Sequence, residues 1–359
     1  MLKVAFVGLG RVFQHYATHW TSILSNTSSS VFVAALCDPK EQARTAAKTL
    51  FPNATLYFSV DEMIENEKID VAFVLTPSGD HYYTSVKLLN SNIHTITEKP
   101  PALLVDHYDR LVSIALRRNL YYGAVFQNRL NPAVKYIKSI LKPSSIGREL
   151  VADISLMWSR SQAYYSDDWH GTWLNDGGVI CQQAIHHIDT AIYLLGPLES
   201  VVSHATCLAH NLEAEDTHIA LLKFRSGVLA TLKATTALGP KDHYASFSVF
   251  GSSGYVLIDG VALNQVNSAI TVSGKIPEDV CKQHSIDVPN GYGLSHIDFI
   301  SQTLNDISGG SYSPLVPHED VRNLLSTLHA LYRSSFVSDL QACKWIPIDI
   351  GYNYPPLGH

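Results

Sequence analysis

The stretch Leu2-Lys3-Val4-Ala5-Phe6-Val7-Gly8-Leu9-Gly10-Arg11-Val12-Phe13 decides how the first part of the chain folds. A short apolar run ends in two glycines, and apolar residues then recur at helical spacing over 12–24. Strand, Gly-x-Gly turn and helix form the opening of a dinucleotide-binding unit. The first glycine permits the tight turn, and the second lets the backbone approach a pyrophosphate held on free N–H groups at the helix start. Gly8, Gly10, Arg11 and Val12 are therefore candidate cofactor contacts. The third glycine of the fingerprint is missing, and Phe13 stands in its place. That glycine serves mainly close helix–strand packing, so the phosphate site does not depend on it.

Working outward, further strands are expected over 31–36, 71–75, 94–97 and 122–126, with helices over 41–50, 60–66, 82–90 and 105–118 between them. The apolar runs are nearly continuous, as in parallel strands buried on both faces. Asp38 closes the second run, 28 residues beyond Gly10, later than the usual ~20. The polar Ser25–Ser30 loop accounts for the excess. A carboxylate there can accept a ribose hydroxyl and repel a 2′-phosphate, which favours NAD over NADP. The loops after the third and fourth strands carry Thr76-Pro77-Ser78-Gly79-Asp80-His81 and Glu98-Lys99-Pro100. Loops at the carboxyl ends of parallel strands line the ligand crevice.

From about Gly147 the pattern changes to strands over 151–158, 200–208, 217–224, 228–235, 245–250 and 254–258. Most connections are too short for parallel crossovers, so an antiparallel sheet is expected. Helices are expected over 179–195, 296–307 and 319–337, and an irregular tail after 351. The fold class is thus α/β plus α+β: a Rossmann domain over 1–126, then an open, mostly antiparallel sheet domain over 127–359. In the second part, Asp176-Gly177-Gly178-Val179-Ile180-Cys181-Gln182-Gln183-Ala184-Ile185-His186-His187-Ile188-Asp189 would place Gln182, His186 and Asp189 on one helix face. His187 points away, which leaves it a structural role, and Asp189 is a candidate orienter of His186. Adjacent histidines do not share a face, so no metal site is expected.

With 46% apolar and 16% charged residues the composition is that of a soluble globular protein. A net charge of −6 argues against a nucleic-acid binder. No apolar run approaches the length of a membrane span, and no signal peptide is read at the start. Cys37, Cys181, Cys207, Cys281 and Cys343 are scattered and unpaired in pattern. That usage fits reduced, mostly buried thiols in a cytoplasmic protein.

Taken in order, the Gly-x-Gly start, Thr76–His81, Glu98-Lys99-Pro100 and the Gly177–Asp189 segment resemble the glucose-fructose oxidoreductase and inositol dehydrogenase-like (Gfo/Idh/MocA) family over nearly the whole chain. The resemblance implies that Lys99 lies beside the nicotinamide and substrate, often next to a cis Lys-Pro bond. A lysine near a bound cation has its ammonium form disfavoured, which moves it toward use as a base. Many members carry Asp where this chain has Gln182. Glutamine takes no proton, so the acid–base work falls on Lys99 and His186. The segments Phe126-Gln127-Asn128-Arg129, Tyr164-Tyr165, Trp169-His170-Gly171-Thr172-Trp173 and Ala209–Thr217 look most like the UDP-N-acetylglucosaminuronate 3-dehydrogenases.

By that resemblance Gln127 and the residues around Thr76, Pro77, Ser78, His81, Glu98, Lys99 and Pro100 meet NAD. Lys99, Asn128, Arg129, Tyr165, Trp173, Gln182 and His186 meet a sugar or nucleotide-sugar substrate. Arg129 offers a fork for a phosphate or carboxylate. His170 stands where the related enzymes usually have arginine, which bears on a uronate group. The expected activity is NAD-dependent oxidation of the 3-hydroxyl of a nucleotide-linked sugar. The alternatives are a 3-ketosugar reductase, a free sugar or cyclitol dehydrogenase, and a non-catalytic NAD-binding sensor. Association into a dimer or tetramer through the second-domain sheet is also implied.

Overall fold

The computed structural model describes residues 1–141, 144–336 and 346–348. Its backbone clusters into two compact units. The first takes Met1–Val125 and His296–Val321, and the second takes Phe126–Ser295 and the described residues from Arg322 onward. The expected tail, residue 337 of the last expected helix and Cys343 lie outside the described residues.

In the first unit six parallel strands form one sheet: β1 (Leu2–Val7), β2 (Val31–Cys37), β3 (Thr55–Tyr57), β4 (Val71–Val74), β5 (His94–Thr97) and β6 (Tyr122–Ala124). Their spatial order is β3-β2-β1-β4-β5-β6. Helices Arg11–Ser25, Glu41–Leu50, Val60–Asn66, His81–Asn90 and Val105–Arg118 make the connections. β3 goes beyond the expected strands, because three residues are too few to show a period. The chain winds outward in both directions from the β1/β4 pair. Ligands of open α/β sheets bind at such a switch point, beyond the carboxyl ends of the strands. Gly8 and Thr76 lie just past those two ends. The core beneath is aromatic: Phe6 meets Phe13, Trp20 and Phe73 at ring distances of 5.3, 5.1 and 5.2 Å. Phe13 is therefore the packing residue that replaces the third glycine, with its ring wholly buried.

The second unit is a nine-stranded sheet: β7 (Glu149–Met157), β8 (Leu198–Thr206), β9 (Thr217–Phe224), β10 (Leu229–Thr235), β11 (Tyr244–Gly251), β12 (Tyr255–Asp259), β13 (Gln265–Thr271), β14 (Gly274–Lys275) and β15 (Ile346–Pro347). The order is β14-β13-β12-β11-β7-β10-β9-β8-β15. Every pair is antiparallel except β7 and β10, where Ile154 lies opposite Leu232 in parallel. That exception is possible because two helices and two strands intervene between β7 and β10 in sequence, giving the chain room to return. Along β9, buried His218, Ala220 and Leu222 alternate with Ile219 and Leu221, which are 57% and 51% exposed. One face of the sheet is thus covered and the other open, as antiparallel sheets allow.

One helix differs from its reading. The expected 179–195 helix is two, Val179–Gln182 and Ile185–Leu195. At the break the Ala184 N–H reaches back five residues to the Val179 carbonyl, at 2.8 Å, where an α-helix would reach four. The extra residue rotates the second helix against the first, so the single face shared by Gln182, His186 and Asp189 is lost. Cys37, Cys181 and Cys281 are buried, Cys207 is exposed, and none of the four is in a disulfide. Among the described residues no helix is long and apolar enough to cross a membrane.

Candidate active site

In the first unit the glycine loop is built by steric necessity. Gly8 has φ +90°, and a Cβ there would lie 2.6 Å from the Leu75 carbonyl carbon and the Thr76 nitrogen. Only glycine allows β1 and β4 to end so close together. Gly10 caps helix Arg11–Ser25 without a side-chain bond. No heavy atom approaches within 4 Å of where its Cβ would stand. Open space above a helix N-terminus is the form of a pyrophosphate cradle, so the loop fits the dinucleotide. Arg11 and Val12 form the first turn of that helix.

Asp38 holds this loop from the side. Its Oδ2 accepts the Leu9 N–H at 2.9 Å and its Oδ1 the Lys40 N–H at 2.8 Å. The carboxylate keeps lone pairs to spare for a ribose hydroxyl. Arg44 donates to the carbonyls of Asp38 and Pro39, at 2.6 and 3.0 Å.

After β4, Pro77 leads into a short turn, Ser78–Asp80, and Ser78 is buried. The Thr76 hydroxyl is buried without a hydrogen-bond partner among the described residues. His81, placed in the cofactor set from sequence, has both ring nitrogens against backbone carbonyls, at 2.7 Å from Pro100 O and 2.8 Å from Thr76 O. Burial holds its pKa down to about 4, against the pull of those two carbonyls. His81 therefore sits between the Thr76 loop and the Lys99-Pro100 loop, donating to one carbonyl, with both ring nitrogens facing backbone oxygens.

Lys99-Pro100 is a cis peptide. Glu98 is no surface partner for Lys99. It is buried, accepts the Tyr16 hydroxyl at 2.6 Å and the Lys99 backbone N–H at 3.1 Å, and lies 3.8 Å from His296 Nε2. Burial raises its pKa, opposed by Lys99 and Tyr16.

In the second unit the turn Gln127–Leu130 buries Gln127, Asn128 and Arg129. Gln127 Oε1 and Asn128 Oδ1 are buried with no hydrogen-bond partner among the described residues. Such groups cost free energy unless something satisfies them, as a ligand's donors would. Arg129 departs from the sequence reading. Its fork is taken by Asp189, Nε to Oδ2 at 2.9 Å and Nη2 to Oδ1 at 2.6 Å, and the guanidinium lies 4.8 Å over the Tyr193 ring. The fork expected to meet a substrate anion thus meets a carboxylate of the same unit. Asp189, expected to orient His186, accepts both of these bonds from Arg129. Sequence could not show a pairing across 60 positions.

His186 is half-buried at the start of helix Ile185–Leu195, with its ring edge-on to Phe126 at 6.0 Å. His187 is buried against Trp158, and burial lowers its pKa to about 4. Gln182 donates to Asp176, whose other oxygen accepts the Gly171 N–H at 2.7 Å. The Tyr165 hydroxyl bonds Thr236 Oγ1 at 2.8 Å. Trp173 packs edge-on against Tyr332 and Phe336. His170 Nδ1 lies 2.5 Å from Asp167 Oδ2, and the ring sits 3.5 Å from that of Trp169. Burial alone would raise the Asp167 pKa, but the bonds from His170 override it and lower it. Among the described residues no group of three or more His, Cys, Asp or Glu is placed to hold a metal. Three residues went unassigned in sequence: Tyr16, Glu215 and Tyr332. Only Glu215 gave a signal, inside the Ala209–Thr217 segment.

Residues 2–126 match the model of an oxidoreductase family with an NAD-binding Rossmann fold, and residues 134–257 match the Gfo/Idh/MocA C-terminal domain. The chain is similar to myo-inositol 2-dehydrogenase of Thermotoga maritima, 24% identical over 72% of this chain and 76% of the relative. It is also similar to the WlbA dehydrogenase of Bordetella pertussis in complex with NADH and UDP-GlcNAcA. That structure is 26% identical, with TM-score 0.87, covering 96% of this chain and 97% of the other. The WlbA dehydrogenase of Chromobacterium violaceum with the same two ligands is 27% identical, with TM-score 0.87, covering 98% and 97%. The chain belongs to the Gfo/Idh/MocA family and is an NAD-dependent oxidoreductase.

Proposed function

We propose that this enzyme oxidises the 3-hydroxyl of a nucleotide-linked sugar of the UDP-N-acetylglucosaminuronate type. The observation that carries the reading is the likeness, over nearly the full length, to two dehydrogenases solved with NADH and UDP-GlcNAcA. The orphaned acceptors of Gln127 and Asn128 support it, since sugar hydroxyls and amides are the donors they lack. Bound NAD supplies the hydride acceptor. Lys99 takes the proton of the reacting hydroxyl, and His186 holds or relays it. Gln182 orients the sugar without titrating, while Tyr165 and Trp173 shape the pocket wall. Asp38 selects the unphosphorylated ribose. A substrate carrying deuterium at C3 should yield deuterated NADH and a product with an unlabelled carbonyl at C3, read by mass spectrometry. Retention of the deuterium in the sugar would refute the site of oxidation.

A second reading has its own observation. Arg129 and His170, the two positions read as bearing on an anionic group, each face a carboxylate. That arrangement favours a neutral sugar or cyclitol. Turnover of UDP-N-acetylglucosamine or myo-inositol ahead of the uronate would establish it.

Homo-oligomer formation is part of the same proposal. The open sheet face exposes Ile219, Leu221 and Leu229 beside Lys223, Thr231 and Lys233, and exposed apolar side chains on such a face support an interface there. Light scattering at micromolar concentration should give a dimer or tetramer, and Leu221→Lys should shift it toward monomer. A wild-type monomer would end this part of the proposal.

A further inference from the structure

The dipeptide Glu215-Asp216, just before β9, anchors two loops in opposite directions. Asp216 is fully buried. It accepts the backbone N–H groups of Leu208, Ala209 and His210 at 2.9, 2.9 and 3.0 Å, and the Thr217 hydroxyl at 2.8 Å. Glu215 reaches the other way. Its Oε1 accepts the Tyr332 hydroxyl at 3.0 Å and the Ile180 N–H at 3.3 Å, and lies 3.8 Å from His218 Nδ1. Its backbone carbonyl accepts the Val179 N–H at 3.0 Å. The Tyr332 oxygen in turn accepts the Gly178 N–H at 3.1 Å. Three successive N–H groups, from Gly178 to Ile180, are therefore held by Glu215 or by the tyrosine it holds.

The fit is tight. A Cβ on Gly178 would stand 1.8 Å from Glu215 Oε2. The glycine is required here by the approach of that carboxylate, and any other residue would displace the turn. The same turn leads into the helix break. Val179, whose N–H Glu215 fixes, gives its carbonyl to the Ala184 N–H at 2.8 Å. The Ala184 carbonyl accepts the His187 and Ile188 N–H groups, each at 2.9 Å. A continuous series of bonds thus runs from Glu215 through Val179 and Ala184 to the helix that begins with Ile185-His186.

We propose that Glu215, with Tyr332, is a positioning residue for His186: its carboxylate holds the Ile180 N–H and the Tyr332 hydroxyl, its backbone carbonyl holds Val179, and together they fix the Gly178–Ile180 turn and, through the Val179–Ala184 bond, the place of the His186 imidazole. This rests on the reading of His186 as a proton-transfer group. The test uses Glu215→Gln and Tyr332→Phe in the full-length enzyme. Tyr332→Phe removes one hydroxyl and decides the matter if Glu215→Gln does not fold. Turnover is normalised to NADH-binding sites counted by fluorescence titration. The His186 signal is followed by NMR of the 13C-histidine-labelled protein and identified by its loss in His186→Asn.

The expected result is a kcat lower by about 10- to 100-fold, the scale set by ångström misplacement. NADH affinity should stay within about twofold, and the His186 signal should shift. A kcat within about twofold of wild type, or a lowered kcat with the His186 signal unmoved, would overturn the proposal. If His186→Asn turns over normally, the catalytic reading of His186 fails, while the NMR shift still judges the positioning.

Discussion

Lys99→Ala is expected to lower kcat by about 10²- to 10⁴-fold, the range general acid–base groups contribute, while NAD+ still binds. The glycine loop and Asp38, proposed to hold the dinucleotide, are joined by the Leu9–Asp38 bond, which does not involve the Lys99 side chain. Lys99 comes directly after β5 and a buried Glu98 that Tyr16 holds by its carboxyl oxygen. The loop is braced again by His81, which joins Pro100 to Thr76. This is rigid support for a side chain that must meet one hydroxyl. Lys99→Arg separates the base from a mere cation, because guanidinium keeps its charge but gives up no proton. It should be about as inactive as the alanine variant. The pair is measured by steady-state kinetics, with NAD+ binding followed separately. A Lys99→Ala enzyme within about threefold of wild type would move the base to His186.

Arg129→Ala should cost about 3–5 kcal/mol of stability, the scale for removing one partner of a buried ion pair. Asp189 is wholly buried, and both of its oxygens face the Arg129 fork. Truncating the arginine leaves a carboxylate with no way to reach water. Replacing both residues together, as Arg129→Met with Asp189→Leu, should recover most of the loss, since apolar pairs of similar volume often do as well. Urea unfolding of the single and double variants, compared with wild type, gives the coupling directly. A loss under about 1 kcal/mol for Arg129→Ala would mean the pair is weak, and would return the guanidinium to the substrate.

Much of the first unit could be read from sequence because its constraints are local. Gly8 must adopt positive φ where β1 and β4 end together, and the apolar runs of β1 and β4 are buried on both faces. Phe13 reads as a defect in the fingerprint, yet its ring packs with Phe6 and Phe51 in the aromatic core. The second unit resisted where contacts are distant. Residues 179–195 carry an unbroken apolar period, and the break at Gln183-Ala184 comes after a turn that Glu215 fixes. Asp189 pairs with Arg129 across 60 positions, a partnership no helical spacing reveals. β13, with the sequence Gln265-Val-Asn-Ser-Ala-Ile-Thr271, alternates too weakly to be recognised alone.

The choice of substrate is tested most directly by incubating the purified enzyme with NAD+ and UDP-N-acetylglucosaminuronate and monitoring NADH absorbance. Parallel reactions hold UDP-N-acetylglucosamine and myo-inositol. Absorbance should rise with the uronate, faster than with either neutral compound, and the rise should depend on Lys99. No rise with the uronate, beside turnover of a neutral sugar or cyclitol, would contradict oxidation of a nucleotide-linked uronate.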